Sequence, residues 1–222
     1  MLNYQKQRVA LMQQLLLQFS TDFVLKGGTA LMICYGLNRY SEDIDLDSRE
    51  DMDITGYLKN PGCPLWNVRV AKDTPTVFRV MLDYGAQTMT GGAYPLKIEV
   101  SARNKKMLKN GIYIPVQVNG ITVYSIETIA AMKVATFSQR DKIRDLFDIG
   151  FLLQNYPAIF DKNQLIAILE NISYKGLDTL SILLQDEFQH YNLGDLSADE
   201  YCLNIAVTCE NLLKESKGTV LG

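Results

Sequence analysis

Asp43-Ile44-Asp45-Leu46-Asp47 alternates acid with apolar residue at period two, the pattern of a strand with one face against a core. Its three carboxylates then share one side while Ile44 and Leu46 enter the interior. Upstream, Phe23-Val24-Leu25 reads as a short buried strand, and Lys26-Gly27-Gly28-Thr29 as the junction from that strand into a helix. Glycines at such a junction let backbone N–H groups approach a phosphate, and the helix offers its positive end. Neighbouring carboxylates repel one another; a hard cation such as Mg²⁺ removes that cost and leaves sites for phosphate oxygens and water. The stretch from Lys26 to Asp47 therefore implies metal-dependent phosphoryl-transfer chemistry. A calcium loop is the rival, since Asp43, Asp45 and Asp47 match the first acidic positions of an EF-hand. It fails at Ser48, where the sharp turn needs glycine, and at Ile54, where a bidentate Glu is needed. The GxxxxGK[ST] phosphate loop is also absent, because Lys26 precedes the glycines.

At 222 residues, 47% hydrophobic and 21% charged, the chain has room for one sizeable domain or two small ones. No apolar run reaches the roughly 20 residues of a membrane span, and Arg8, Gln13 and Gln14 interrupt the N-terminal MLNYQKQRVALMQQLLLQF, so a cytoplasmic protein is expected. Cys34, Cys63, Cys202 and Cys209 form no CxxC pair and His190 is the one histidine, which argues against structural zinc and a disulfide framework. The thiols should be reduced and mostly buried, and His190 structural. A formal charge of −3 gives no global reason to bind nucleic acid. The local basic run Arg103-Asn104-Lys105-Lys106-Met107-Leu108-Lys109 reads first as a solvated loop after a strand, and second as a contact for a phosphate backbone.

Along the chain, residues 3–19 carry helical spacing. Ser48 is placed to cap a helix running to about Leu58, ended by Asn60-Pro61-Gly62. Strands follow at Trp66–Ala71, Thr76–Tyr84 and Leu96–Ser101, the last two separated by Gly85–Tyr94 with Gly91-Gly92 as a loose hairpin loop. Ile112–Val118 and Ile121–Tyr124 flank Asn119-Gly120, whose tolerance of positive φ suits a tight type I′ hairpin. From Ser125 the pattern turns helical, with helices over Ala130–Phe137, Asp141–Gln154, Lys162–Asn171, Leu177–His190 and Ser197–Glu215, and a frayed tail from Lys217. The expected class is α+β, an N-terminal mixed sheet flanked by helices (residues 1–124) followed by a C-terminal helical bundle (residues 125–222).

Two further constellations carry charge. Glu99 in Leu96-Lys97-Ile98-Glu99-Val100 is a third carboxylate that neighbouring strands could bring to the aspartates; equally, it is an exposed strand Glu paired with Lys97 or Arg103. Lys133 and the run Arg140 to Asp148 supply the second. Asp145 and Asp148 share a helix face and Arg144 can pair with Asp141 or Asp148, so a salt-bridged amphipathic helix is the ordinary account.

The combination resembles the nucleotidyltransferases of the DNA polymerase β superfamily, and more closely the AbiEii-type toxins of type IV toxin-antitoxin systems. The likeness runs from about Phe23 to Leu153: Gly27-Gly28-Thr29, then Arg39-Tyr40-Ser41-Glu42-Asp43-Ile44-Asp45-Leu46, Glu99, Lys133, and Arg140, Arg144, Asp145 and Asp148 in that order. Glu99 departs from the wider superfamily, where this position is usually Asp. The resemblance implies that Asp43 and Asp45, with Glu99, bind two Mg²⁺ ions, and that Gly27, Gly28, Thr29 and Ser41 hold a nucleoside triphosphate with help from Lys26 and Arg39. It implies that Lys133 and Asp145 complete the catalytic set. The reaction so implied moves a nucleoside monophosphate to an acceptor hydroxyl on tRNA or another RNA with release of pyrophosphate, by a toxin of phage defence that has a cognate antitoxin. A protein acceptor and a catalytically inactive, nucleotide-sensing or partner-binding module are the alternatives.

Overall fold

The structure, a computed structural model, describes residues 2–59, 66–87, 91–187 and 196–218, the side chains of 216–218 excepted. It forms two compact units, Met1–Gly36 with Tyr40–Ser125, and Leu37–Arg39 with Ile126–Gly222. The first carries seven strands: β1 (Phe23–Lys26), β2 (Ile44–Ser48), β3 (Asn67–Thr74), β4 (Val77–Asp83), β5 (Leu96–Ser101), β6 (Pro115–Val118) and β7 (Ile121–Tyr124). They lie in the order β3-β4-β5-β2-β1-β7-β6. β2 runs parallel to β5, and β1 parallel to β7, while the other neighbours are antiparallel. The sheet is therefore mixed, as expected. Its apolar face is built by alternation: Ile44, Leu46, Val80, Leu82, Ile98 and Val100 are all buried. Asn119 (φ 50°) and Gly120 (φ 82°) both sit at positive φ between β6 and β7, the geometry that a type I′ turn requires.

Helix α1 (Asn3–Leu16) buries Met12, Leu15 and Leu16, and it also buries Arg8. Arg8 donates to the carbonyls of Glu42 (3.2 Å), Tyr94 and Pro95 (3.0 Å) and to the Tyr84 hydroxyl (3.0 Å), and its guanidinium carbon lies 3.3 Å from the centre of the Tyr94 ring. One side chain thus ties α1 to the backbone just ahead of β2 and just ahead of β5, the two strands whose carboxylates matter below. Helix α2 (Gly27–Cys34) follows β1 without a break.

Two local expectations need correction. No helix spans Ser48 to Leu58; only Thr55–Tyr57 form a 3₁₀ turn. Asp51 and Asp53 accept from nearby backbone N–H groups (Met52 at 2.6 Å, Thr55 at 2.8 Å), and the Ser48 hydroxyl accepts from Glu50 N–H and donates to Asp51 C=O. These short-range bonds compete with a helix for the same groups. The Arg103–Lys109 run is not a plain loop: Lys105–Lys109 form a short helix, α3, and Glu50 draws in Lys105 (3.7 Å) and Lys109 (2.9 Å). Asn60-Pro61-Gly62, Cys63 and His190 lie outside the described residues.

The second unit contains α4 (Ile126–Gln139), α5 (Ile143–Asn155), α6 (Lys162–Lys175), α7 (Leu177–Asp186) and α8 (Ala198–Gly218). Asp161 caps α6 by accepting from Gln164 N–H (2.8 Å), with Gln164 returning a bond to Asp161 N–H. α8 packs on α5, α6 and α7, burying Cys202, Ile205 and Cys209. Among the described cysteines none is bonded to another, and burial pushes the Cys209 thiol up to about 12 and the Cys34 thiol up to about 11, outside the range of reactive thiolates. No described helix is long and apolar enough to cross a membrane.

Candidate active site

The acidic strand lands at the centre of the sheet. β2 and β5 pair in parallel register, so Asp45 stands directly beside Glu99, with Asp43 just ahead of the strand. On the other flank, Lys26 of β1 is the register partner of Asp45. Two cations balance the outer acids: Lys97 Nζ lies 2.5 Å from Asp43, and Arg79, opposite Glu99 on β4, forks onto one Glu99 oxygen at 2.5 and 2.8 Å. Glu99 is thus neither exposed nor paired with Lys97 or Arg103; its partner comes from the neighbouring strand. Burial raises the Asp45 carboxyl above the ordinary aspartate range, Asp43 and Glu99 add to the rise, and Lys97 and Lys26 oppose it.

Asp47 shares the face but not the surroundings. It is fully buried and accepts from Lys26 Nζ (2.5 Å), Asn104 Nδ2 (2.7 Å) and the Tyr124 hydroxyl (2.9 Å). Three donors leave it little capacity for a further ligand. Its work is to fix Lys26 at the end of β1, immediately before the diglycine turn.

Gly27 takes φ 74°, a conformation that costs glycine little, and a Cβ there would lie 3.6 Å from an Asp45 carboxylate oxygen. The absence of a side chain lets the turn's backbone come up against the Asp45 carboxylate. Thr29, buried in the first turn of α2, donates to the Asp43 carbonyl and lies 2.8 Å from the Ser41 hydroxyl. Gly27, Gly28, Thr29, Ser41, Asp43, Asp45, Glu99 and Lys26 are accordingly brought together in the first unit. Their donor set is carboxylate and hydroxyl oxygen, the type that suits Mg²⁺. Among the described residues no group of three or more His, Cys, Asp or Glu side chains converges on a single metal position.

The second unit holds the remaining candidates. Lys133, on α4, reaches Asp148 at 2.5 Å and Asp145 at 3.2 Å, both on α5 and both fully buried. Arg140 forks onto Asp145 (2.7 and 3.0 Å), and Arg39 onto both oxygens of Asp148 (2.7 and 2.7 Å). Burial works against the ionised Asp145, but the Arg140 hydrogen bonds and the charges of Lys133 and Arg140 outweigh it and hold the carboxyl below the ordinary range. The expected surface pairs of Arg144 do not form: Asp148 is taken by Arg39 and Lys133, and Asp141 by Lys175. Arg39, expected at the phosphates, is held by a bidentate bond to Asp148.

Sequence reasoning missed Arg8, Arg79 and Tyr124. For Arg79 the signal was present, since Val77 to Asp83 alternates and puts Arg79 on one face with Met81 and Asp83. For Arg8 and Tyr124 there was none, because their partners are 34 to 87 and 77 residues away.

Several known proteins are similar to this chain. A crystal structure of JHP933 from Helicobacter pylori superposes with a TM-score of 0.78 at 26% identity, covering 99% of this chain and 96% of that one. Another H. pylori structure, assigned as a nucleotidyltransferase, gives 0.77 at 26% identity over 99% of both chains. An uncharacterized protein of Aquifex aeolicus is 27% identical over 174 residues, 78% of this chain and 76% of its own length. The mixed sheet with an acidic central strand, the diglycine turn behind it and these likenesses agree with the match of residues 10–201 to the nucleotidyl transferase AbiEii toxins of type IV toxin-antitoxin systems, the family to which this chain belongs.

Proposed function

We propose that the protein is an active, Mg²⁺-dependent nucleotidyltransferase that moves a nucleoside monophosphate from an NTP to an acceptor hydroxyl on RNA, tRNA by family analogy. The observation that supports it best is the register of β2 on β5, which sets Asp45 beside Glu99 while Asp45 itself lies against the Gly27 backbone. Asp43 and Asp45 would hold the metal, with Glu99 beside Asp45 as the third carboxylate of the family pattern; when bound it would supply charge neutralisation at the triphosphate and activation of the acceptor hydroxyl. The chain's own residues do the rest. The N–H groups of the Gly27–Thr29 turn would meet the phosphates, and the Thr29 hydroxyl, bonded to Ser41 and to the Asp43 carbonyl, fixes that turn to the segment leading into β2. Lys26, steadied by Asp47, adds a fixed positive charge at the same turn. Lys133 and Asp145 stay in the catalytic set on the family pattern alone; within the second unit Asp148 (2.5 Å) and Asp145 (3.2 Å) together hold the Lys133 ammonium. In this reading the enzyme acts in the cytoplasm and is countered by a cognate antitoxin.

The test offers each α-labelled NTP separately with a tRNA pool and Mg²⁺. Label should pass to RNA with one nucleotide preferred, and Asp43→Ala or Asp45→Ala should abolish it while the circular dichroism spectrum is kept. Metal-dependent transfer retained in both variants, or nucleotide binding without turnover by the wild type, would overturn the proposal; the latter would point to a sensor.

A further inference from the structure

The row that begins with Asp45 does not end at Glu99. Strand register carries it outward through Arg79 on β4 to Lys72 on β3, and the next row runs from Lys97 through Met81 to Arg69. Directly opposed residues of paired strands share a face, so Lys97, Arg79, Arg69 and Lys72 lie on the same side of the sheet as the three aspartates. At about 4.8 Å per strand, β3 stands roughly 14 Å from β2.

Charge along this path changes in kind. The inner cations are used, Lys97 by Asp43 and Arg79 by Glu99. The outer ones are not: Arg69 and Lys72 are exposed, and no carboxylate pairs with either among the described residues. On the β3 and β4 part of this face the one described carboxylate is Asp83, turned back to accept from Gly85 N–H (2.9 Å); Asp73 opposes Phe78 and so faces the other way. A protein of net charge −3 thus keeps unneutralised cations on the strand that leads away from its acid pair. The Arg103–Lys109 run, whose second reading was a phosphate-backbone contact, has Lys105 and Lys109 drawn to Glu50.

We propose that this sheet face, with Arg69 and Lys72 at its outer edge and Arg79 and Lys97 toward the acids, is the track on which the acceptor RNA lays its phosphate backbone. The partner chemistry is a polyanion longer than a triphosphate, because the free charges sit two and three strands from the acids, beyond a single nucleotide held at the diglycine turn. The proposal rests on the transferase reading for its direction and can be tested without turnover.

Anisotropy of a fluorescein-labelled tRNA pool is followed with the full chain in EDTA, without NTP, across a salt series. Wild type should bind with log K falling linearly in log salt. R69Q/K72Q should bind roughly tenfold more weakly, with the slope reduced by about 1 for each cation removed, while R69K/K72R keeps the wild-type slope. Melting temperature should be unchanged, and in the transfer assay KM should rise for RNA but not for NTP. An unchanged slope in R69Q/K72Q, or no RNA binding by the wild type, overturns the proposal. RNA binding that depends on Arg69 and Lys72 in a protein that transfers no label supports this inference and sinks the catalytic reading instead.

Discussion

Asp47→Ala should destabilise the fold and Asp45→Asn should not, although the two residues are two apart on one strand and share a face. Asp47 is fully buried and answers three donors at 2.5, 2.7 and 2.9 Å. Removing it strands the Lys26 ammonium, one Asn104 N–H and the Tyr124 hydroxyl. Breaking a buried ion pair costs about 3–5 kcal/mol, and a buried neutral donor left without a partner about 1–3 kcal/mol. Lys26 keeps 22% of its side chain exposed, so water recovers part of its loss. A net loss of about 3–5 kcal/mol follows. At Asp45 the balance reverses, because burial, Asp43 and Glu99 disfavour its ionised form despite Lys97 and Lys26. Asp45→Asn should leave stability unchanged or raise it, the behaviour the proposed catalytic role of Asp45 predicts.

Urea unfolding in EDTA measures both. Trp66, the one tryptophan, donates to Leu58 C=O (2.6 Å) within the first unit, so its fluorescence follows that unit. With m near 2 kcal/mol/M, Asp47→Ala should lower the midpoint by about 2 M. A midpoint within about 0.5 M of wild type for Asp47→Ala, or an equal fall for Asp45→Asn, refutes the division of roles.

In the second unit, the lowered Asp145 carboxyl predicts acid sensitivity. The stability it contributes is fully present above the ordinary aspartate value of 3.8 and is lost as pH falls through its lower folded value. Thermal melts from about pH 5 downward should show a declining limb that is shallower in Asp145→Asn; equal limbs would exclude the group. At Gly150 an added Cβ would clash with the Tyr201 hydroxyl oxygen and meet Ile205 Cδ1 at 2.9 Å. Gly150→Ala should cost about 1–3 kcal/mol by overpacking, and an unchanged melting temperature would show that α8 gives way without cost.

Much of the sheet was legible because period two is a local signal. Leu96–Ser101 and Ile121–Tyr124 lie where alternation puts them, and Asn119-Gly120 makes the turn its positive φ allows. Ser48–Leu58 misled because a capping serine says nothing about rival bonds from Asp51 and Asp53. Arg8 read as an interruption of an apolar run, yet it is buried because carbonyls and a tyrosine ring from distant segments gather around its guanidinium. Glu99 offered Lys97 or Arg103 by nearness in sequence, whereas strand pairing supplied Arg79.

By itself the sequence determined that Asp43, Asp45 and Asp47 share a face, since side-chain direction in a strand follows parity alone. Parity could not tell them apart; only the family pattern singled out Asp43 and Asp45. Tertiary structure made Asp47 a buried anchor for Lys26 and left Asp43 and Asp45 beside Glu99, because the energy of a carboxylate is set by the dielectric and donors around it, and those come from strands and loops far along the chain.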